Sequence, residues 1–301
     1  MNSLPNAVSV VMRSFNEAWT IGDTIQQLFN QDFDGEIELI VIDSGSSDGS
    51  IEIIEKFGRA RLIQIPLGTY VPGVVLNQGA REASHDWIVY LNADATPVGR
   101  DWLTNLLKPC VNNPKFGAAF SRQIPRPDCQ AVFAHDYDRC FGPDRESKDW
   151  EHFFSMVSSV THRSVLDRVP IREDLQYAED DEWTRRITGE GLNVIYVLDS
   201  VVMHSHNYTL RQSYKRAFGD AKAMAATSGT LPRNVNYHYF VALGLIKDVV
   251  RDSKWCLKNH HVLGIPHAAA VRLYQRLGRR DGYHAGWKFY QRDTASSISN
   301  I

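Results

Sequence analysis

The sequence predicts an α/β fold: an open, mostly parallel sheet flanked by helices, followed by a helical C-terminal extension. Three observations predict it. Apolar runs at 8–12, 37–42, 61–65 and 87–91, rich in Val and Ile and bounded by Gly, Ser, Asn or Asp, have the pattern of buried parallel strands. Helix-like stretches at 20–29, 50–57 and 74–84 alternate with them. Two of the strands run into an aspartate: ELIVID ends on Asp43 and WIVYLNAD on Asp94. Ligands of open α/β sheets bind beyond the carboxyl ends of the strands, so both carboxylates are expected in one crevice, where they suit a polar ligand and a cation.

Taken in order, the first strand leads into Ser14, Phe15, Asn16 and Glu17, and the second into the turn-forming SGSSDG at 44–49. Ser47 and Asp48 are placed to cap the helix that starts near Ser50, which leaves Asp43 available for a ligand. The next helix is expected near Asp101, seven positions beyond Asp94 with Pro97 between, so Asp94 is not expected to cap it. A further strand is expected at 194–203, and helices at 210–228, 237–258 and 266–277. The chain divides on this reading into an α/β domain at 1–209 and a basic helical extension at 210–301.

With 43% hydrophobic and 23% charged residues, a chain of 301 residues can bury a full core in one large domain or one domain plus an appendage. No basic segment followed by an apolar stretch opens it, and no run of 18 apolar residues occurs, so a cytoplasmic protein is expected. Cys110, Cys129, Cys140 and Cys256 lack CxxC spacing and are expected to be free thiols. From Asn207 onward, 15 Lys and Arg stand against 5 Asp and no Glu, a balance of +10 that leaves −12 for the rest of the net −2. Two readings of this basic tail stand: a solvated helical face, or a peripheral contact with an anionic membrane surface at the inner face of the membrane. No nucleic-acid-binding module accompanies the charge.

The ordered motifs VSVVMRSFNE (8–17), VIDSGSSDG (41–49), NAD (92–94) and AED (178–180) resemble those of family 2 glycosyltransferases, which have the Rossmann-like GT-A fold. VVLNQGA (74–80), SRQIPRP (121–127) and HSHNYT (204–209) resemble the bacterial rhamnosyltransferase-like branch. The resemblance covers about the first two thirds of the chain. It implies an inverting transfer of a sugar from a nucleoside-diphosphate sugar, dTDP-rhamnose or a UDP-sugar, to a glycan or lipid-linked acceptor hydroxyl. The absence of a QxxRW segment points to a single transfer per binding event.

Residue roles follow from the resemblance. Asp43 would accept the imide N–H of the base, with Ser14, Phe15, Asn16 and Glu17 as the opposing wall and Phe15 stacking; Asn77, Asn92 and Ala93 complete the nucleotide contacts. Asp94 stands at the metal position of the DXD motif, where Mn²⁺ or Mg²⁺ takes oxygen ligands and keeps several waters. Asn92 replaces the first aspartate of that motif and contributes no charge. His204, with His206 second, is a metal ligand or a structural histidine. Asp180 would be the general base and Glu179 its neighbour. Asp181 and Glu182 are expected at the surface in i,i+4 pairs with Arg185 and Arg186. Arg122 and Arg186 are phosphate partners or salt-bridge residues. Two other functions fit the same fold: a sugar nucleotidyltransferase, disfavoured because no glycine follows the first strand, and a non-catalytic binding protein, disfavoured because Glu179 and Asp180 are both present.

Overall fold

The computed structural model describes residues 4–150, 152–228, 231–232 and 234–298, with side chains described to residue 291. Two compact units emerge: 1–126 with 138–175 and 179–204, and 127–137 with 176–178 and 205–301.

The first unit alternates β1 (Ala7–Ser14), α1 (Ile21–Phe29), β2 (Glu36–Asp43), α2 (Ser50–Phe57), β3 (Ala60–Gln64), α3 (Pro72–Glu82) and β4 (Trp87–Asn92). It continues with β5 (Thr96–Pro97), α4 (Trp102–Leu107) and β6 (Phe116–Ile124). After α5 (Ala131–Phe141), whose first half belongs to the second unit, come β7 (Ser158–His162), α6 (Arg163–Arg168), α7 (Glu179–Gly189) and β8 (Asn193–Met203). The eight-stranded sheet has the order β3-β2-β1-β4-β7-β6-β8-β5. β1 to β4 are parallel, β7 runs antiparallel between β4 and β6, and β6 and β8 are parallel. The carboxyl ends of β1, β2, β4, β6 and β8 therefore share one edge, the crevice edge of an open sheet.

Val8, Val10 and Met12 of β1, Leu39 and Val41 of β2, and Val89 and Leu91 of β4 are buried and pack with Ile21, Ile25 and Leu28 of α1. The period of two along the strands and of three to four along the helix brings these residues onto facing surfaces. Trp102 is fully buried, and its Nε1 donates to Ser121 Oγ (3.1 Å) and Ser158 Oγ (3.0 Å). A buried indole satisfied by two hydroxyls ties α4 to β6 and β7 without an orphaned donor.

The second unit holds α8 (Leu210–Ser228), a π-helical turn Tyr237–Leu243, α9 (Gly244–Lys258) and α10 (Ile265–Ile298). α10 runs well past 277, where Gly278 reads as a helix stop. The reason is packing: a Cβ on Gly278, Gly282 or Gly286 would collide with the carbonyl oxygens of Tyr214, Phe218 and Lys222 on α8. Glycine every fourth residue lets the two backbones meet along their length, which outweighs its roughly 1 kcal/mol helix penalty.

The basic charge of this unit is partly turned inward. Buried Asp252 accepts from Arg272 Nε (2.6 Å) and lies 2.9 Å from His135 Nδ1, while Asp248 accepts from Arg276 Nε (2.7 Å). Burial alone would raise the Asp252 pKa, but His135 and Arg272 together hold it well below the usual carboxylate range. A depressed carboxylate contributes stability above its unfolded pKa of about 4 and loses it as pH falls through the folded value. Thermal unfolding followed from pH 7 to pH 2 should show a steep acid-side loss below about pH 4 in the wild type. Asp252→Asn should be less stable at pH 7 by about 1.5–3 kcal/mol, the worth of a hydrogen bond to a charged group, since Arg272 keeps its bidentate pair with Asp136 (2.8 Å) but loses its second carboxylate, and should show a flatter acid limb.

Candidate functional site

The loops leaving β1 and β2 are stitched together. Asn16 N donates to Ser46 Oγ (2.7 Å), Ser47 N to Asn16 Oδ1 (2.9 Å), Glu17 N to Ser50 Oγ (2.9 Å) and Ala18 N to Asp48 Oδ2 (2.9 Å). Asn16 reaches these partners from a left-handed backbone, φ 55°, which asparagine tolerates. Asp48 Oδ1 also accepts from Ser50 N (3.1 Å) in the first turn of α2. Asp43 has no exposed surface; Oδ1 accepts from Gly45 N (3.0 Å) and Ser46 N (2.8 Å), and Oδ2 from Ser46 Oγ (2.6 Å). Ser14 is buried, whereas Phe15 beside it is 47% exposed, an apolar ring left in solvent at the carboxyl edge of the sheet.

Arg13, next to last in β1, joins that strand to β4, to the segment before α3 and to the start of α7. Its Nε (3.1 Å) and Nη2 (2.8 Å) both donate to Asn92 Oδ1, Nη1 donates to Tyr70 Oη (3.1 Å) and lies 3.7 Å from Glu179 Oε1. Burial works against its charge, but Tyr70 and Glu179 outweigh it and the guanidinium pKa stands above its ordinary value. Asn92 is thus fixed by Arg13, and the backbone carries on the link, Ala93 N donating to Arg13 O (3.0 Å).

Asp94 is buried at the end of the same motif, and its carbonyl accepts from Arg126 Nη2 (2.8 Å), whose guanidinium lies over the exposed Trp19 ring. Asp94 Oδ2 lies 3.4 Å from Nε2 of His204, also buried. Gln123 Nε2 donates to Ser155 Oγ (2.9 Å), which turns Gln123 Oε1 toward His204 Nδ1 at 2.8 Å. An acceptor at Nδ1 requires the proton there, so a neutral imidazole presents its Nε2 lone pair to the Asp94 carboxylate. An imidazole nitrogen and a carboxylate oxygen facing each other at this distance form a candidate ligand pair for a divalent cation. Oxygen from Asp and nitrogen from His fit Mn²⁺ or Mg²⁺. His206 lies in the second unit, its ring 5.4 Å from Tyr208.

α7 opens on Glu179 and Asp180, at the end of the helix where the macrodipole favours negative charge. Asp181 and Glu182 pair with Arg185 (2.7 Å) and Arg186 (2.8 Å), as their spacing predicts. Glu182 is buried rather than at the surface, because Arg186 covers it while donating to Pro170 O (2.8 Å). Arg186 is held by these contacts, and Asn77 by Ile171 and Glu173: its Nδ2 donates to Ile171 O (2.7 Å) and Glu173 Oε1 (3.0 Å), and its Oδ1 accepts from Ile171 N (3.2 Å). Arg122 lies on β6 with its Nε buried. Thr184 donates to the carbonyl of Asp180 (2.7 Å) and lines an open cleft of about 470 Å³ that also holds Trp150, Phe153, Tyr196, Arg145 and Lys148.

Sequence reasoning passed over Arg13, Arg126 and Gln123. Arg13 had a signal: a lone cation closing an otherwise apolar strand needs a buried partner. Gln123 and Arg126 had none beyond their place in the SRQIPRP stretch.

A nucleotide-binding type of sheet with these groups on its carboxyl edge defines the class as a glycosyltransferase of the GT-A fold. The model of glycosyl transferase family 2 matches residues 9–169, more than half of the chain, and the chain belongs to that family. It is similar to the O-antigen chain rhamnosyltransferase RfbN of Salmonella typhimurium, 28% identical over 258 residues that cover 82% of this chain and 80% of the relative. Its fold is shared by the mannosyltransferase PcManGT of Pyrobaculum calidifontis, solved in complex with GDP-Man and Mn²⁺. That match has a TM-score of 0.59 at 20% identity and covers 95% of this chain and 87% of the other. Glucosyl-3-phosphoglycerate synthase of Mycobacterium tuberculosis, solved with Mn²⁺, UDP and phosphoglyceric acid, matches with a TM-score of 0.56 at 19% identity, over 76% and 80% of the two chains.

Because Arg13 is the shared partner of Asn92, Tyr70 and Glu179, Arg13→Ala should lower unfolding free energy by about 3–5 kcal/mol, the range for removing one member of a buried charge pair. Chemical denaturation measures this; a loss under 1 kcal/mol would show that the three partners are held independently.

Proposed function

We propose that this glycosyltransferase moves a sugar from dTDP-rhamnose, or failing that a UDP-sugar, to a hydroxyl of a glycan or lipid-linked acceptor, with inversion and with a divalent cation held by Asp94 and His204. The observation that carries the reading is the buried Asp94–His204 pair, an acceptor-rich couple oriented by Gln123. His206, two residues beyond His204, is the alternative histidine ligand in this reading. A cation bound there offsets the charge that the departing diphosphate acquires.

Donor binding rests on the stitched loops. Phe15 offers an exposed ring for the base. Asp43 is the base acceptor: Oδ2 holds a single hydroxyl hydrogen bond, and turning the Ser46 side chain aside opens it to the imide N–H that thymine and uracil share. Ser14, Asn16, Glu17, Asn92 and Ala93 frame the nucleotide, and Asn77 acts indirectly by holding the 171–173 segment. Arg122 remains a candidate phosphate partner, whereas Arg186 serves Glu182.

Asp180 takes the proton of the acceptor hydroxyl as the new bond forms at the anomeric carbon and the bond to the diphosphate breaks on the opposite side. Glu179, held by Arg13, positions the start of α7. The cleft one helical turn beyond Asp180 supplies aromatic rings and two cations, a surface suited to successive sugar rings and an anionic group of the acceptor. The similarity to RfbN over 82% of the chain supports an envelope glycan as the acceptor.

Calorimetric titration with dTDP, UDP and GDP, in Mn²⁺ or in EDTA, tests the donor side. One pyrimidine diphosphate should bind in Mn²⁺ and lose at least tenfold in affinity with EDTA or in Asp94→Ala; binding of none of the three would sink the reading. On the acceptor side, Asp180→Asn should cut turnover by about 10²–10⁴, the usual contribution of a general base, with diphosphate binding intact. Trp150→Ala should raise the acceptor KM with little change in kcat. Near-normal turnover in Asp180→Asn would assign the base elsewhere.

A further inference from the structure

α9 is built inside out. Its acidic residues, Asp248 and Asp252, are buried and held by Arg276 and Arg272, and Cys256 is buried one turn further on. These three recur every fourth residue along one face. The opposite face carries Leu243, Ile246, Val250 and Leu257, each about half exposed or more. Tyr239 extends this apolar row toward the N-terminus, and Leu263, 97% exposed in the short turn Val262–Gly264, extends it beyond the helix. An ordinary surface helix turns its apolar stripe to the core and its charges to water.

Lys247, Lys254 and Lys258 are also exposed and run beside the apolar row. None of the three is ion-paired among the described residues. Because both acids of α9 point inward, its outer face presents apolar side chains and positive charge with no exposed carboxylate. A continuous exposed apolar surface of this kind marks an interaction site. Its composition, an apolar row flanked by lysines, is that of a helix lying in a bilayer interface, where each lysine near an anionic surface contributes about 1 kcal/mol. At 15 residues, α9 spans about 22 Å at 1.5 Å per residue, and among the described residues no helix is long and apolar enough to cross a membrane. Pairing with a second copy through the same face is disfavoured by charge, because a two-fold axis would bring the two lysine rows together.

We propose that the outer face of α9, from Tyr239 through Leu263, docks on a bilayer bearing anionic headgroups, with the apolar row in the headgroup boundary and Lys247, Lys254 and Lys258 on the lipid phosphates. The basic balance of the C-terminal segment thereby divides: Arg272 and Arg276 neutralise buried acids, and the lysines of α9 face the lipid. This inference does not depend on which sugar the first unit transfers.

Flotation of the full chain with phosphatidylcholine vesicles, with and without 30% phosphatidylglycerol (about a third of the lipid, enough to set a negative surface potential), tests it without donor or acceptor. The wild type should float with the anionic vesicles and be released as salt rises, because exposed charge is screened beyond a Debye length of about 10 Å at 0.1 M. The double variant Ile246→Glu with Leu257→Glu should lose at least tenfold in bound fraction. Lys247→Glu with Lys254→Glu should abolish the preference for anionic lipid. Both pairs are exposed, so unchanged thermal unfolding should accompany the losses. Equal flotation of variants and wild type would overturn the proposal. So would a monomer–dimer equilibrium in sedimentation that Ile246→Glu with Leu257→Glu abolishes while vesicles bind nothing, which would assign the face to a second copy.

Discussion

A guanidinium at the end of a buried strand has to find both hydrogen bonds and negative charge, and the way Arg13 does so sets the geometry of the carboxyl edge. Asn92 takes two of its N–H groups, Tyr70 another, and Glu179 supplies the charge. Those partners come from β4, from the segment before α3 and from the start of α7. One buried cation therefore fixes the distance between the strand that leads to Asp94 and the helix that carries Asp180. It also gives Asn92 a physical role: a neutral amide supplies an oxygen for two guanidinium N–H groups and leaves the charge of Arg13 for Glu179.

The same logic of satisfying buried polar groups orders the rest of the edge. Gln123 is aligned by Ser155 and in turn aligns His204, so a serine near β7 decides which imidazole nitrogen faces Asp94. Arg126 holds the Asp94 carbonyl from the far side. A ligand that brings positive charge enters a pocket whose donors are already oriented, and less ordering cost remains for binding.

Much of this was legible in the sequence, for reasons that separate the parts that were read from those that were not. The strands at 8–12, 37–42 and 87–91 are continuous Val and Ile runs because both sheet faces are covered, and their terminal aspartates announce the ligand edge. β6 and β7 were not read: FGAAFSRQI mixes small and polar residues, and SSVTH is mostly hydroxylic, because Ser121 and Ser158 meet the Trp102 indole rather than an apolar neighbour. Gly278 is a stop signal in the sequence unless another backbone lies against it, which only the tertiary structure supplies, so α10 outruns its sequence pattern. The burial of Glu182 is not legible in the sequence, because i,i+4 pairing with Arg186 says nothing about which side of the helix is covered. The four cysteines were expected as thiols outside any disulfide, and none is disulfide-bonded; Cys110, buried just after α4, has its thiol pKa pushed up to about 12 by desolvation.

A divalent cation between Asp94 and His204 is the centre of the proposed reaction. The most direct measurement is anomalous diffraction at the manganese edge from crystals grown with Mn²⁺ and dTDP. One strong peak is expected within coordination distance of the Asp94 carboxylate and His204 Nε2, next to density for the diphosphate. Diphosphate density at this edge with no anomalous peak between those two residues would contradict it.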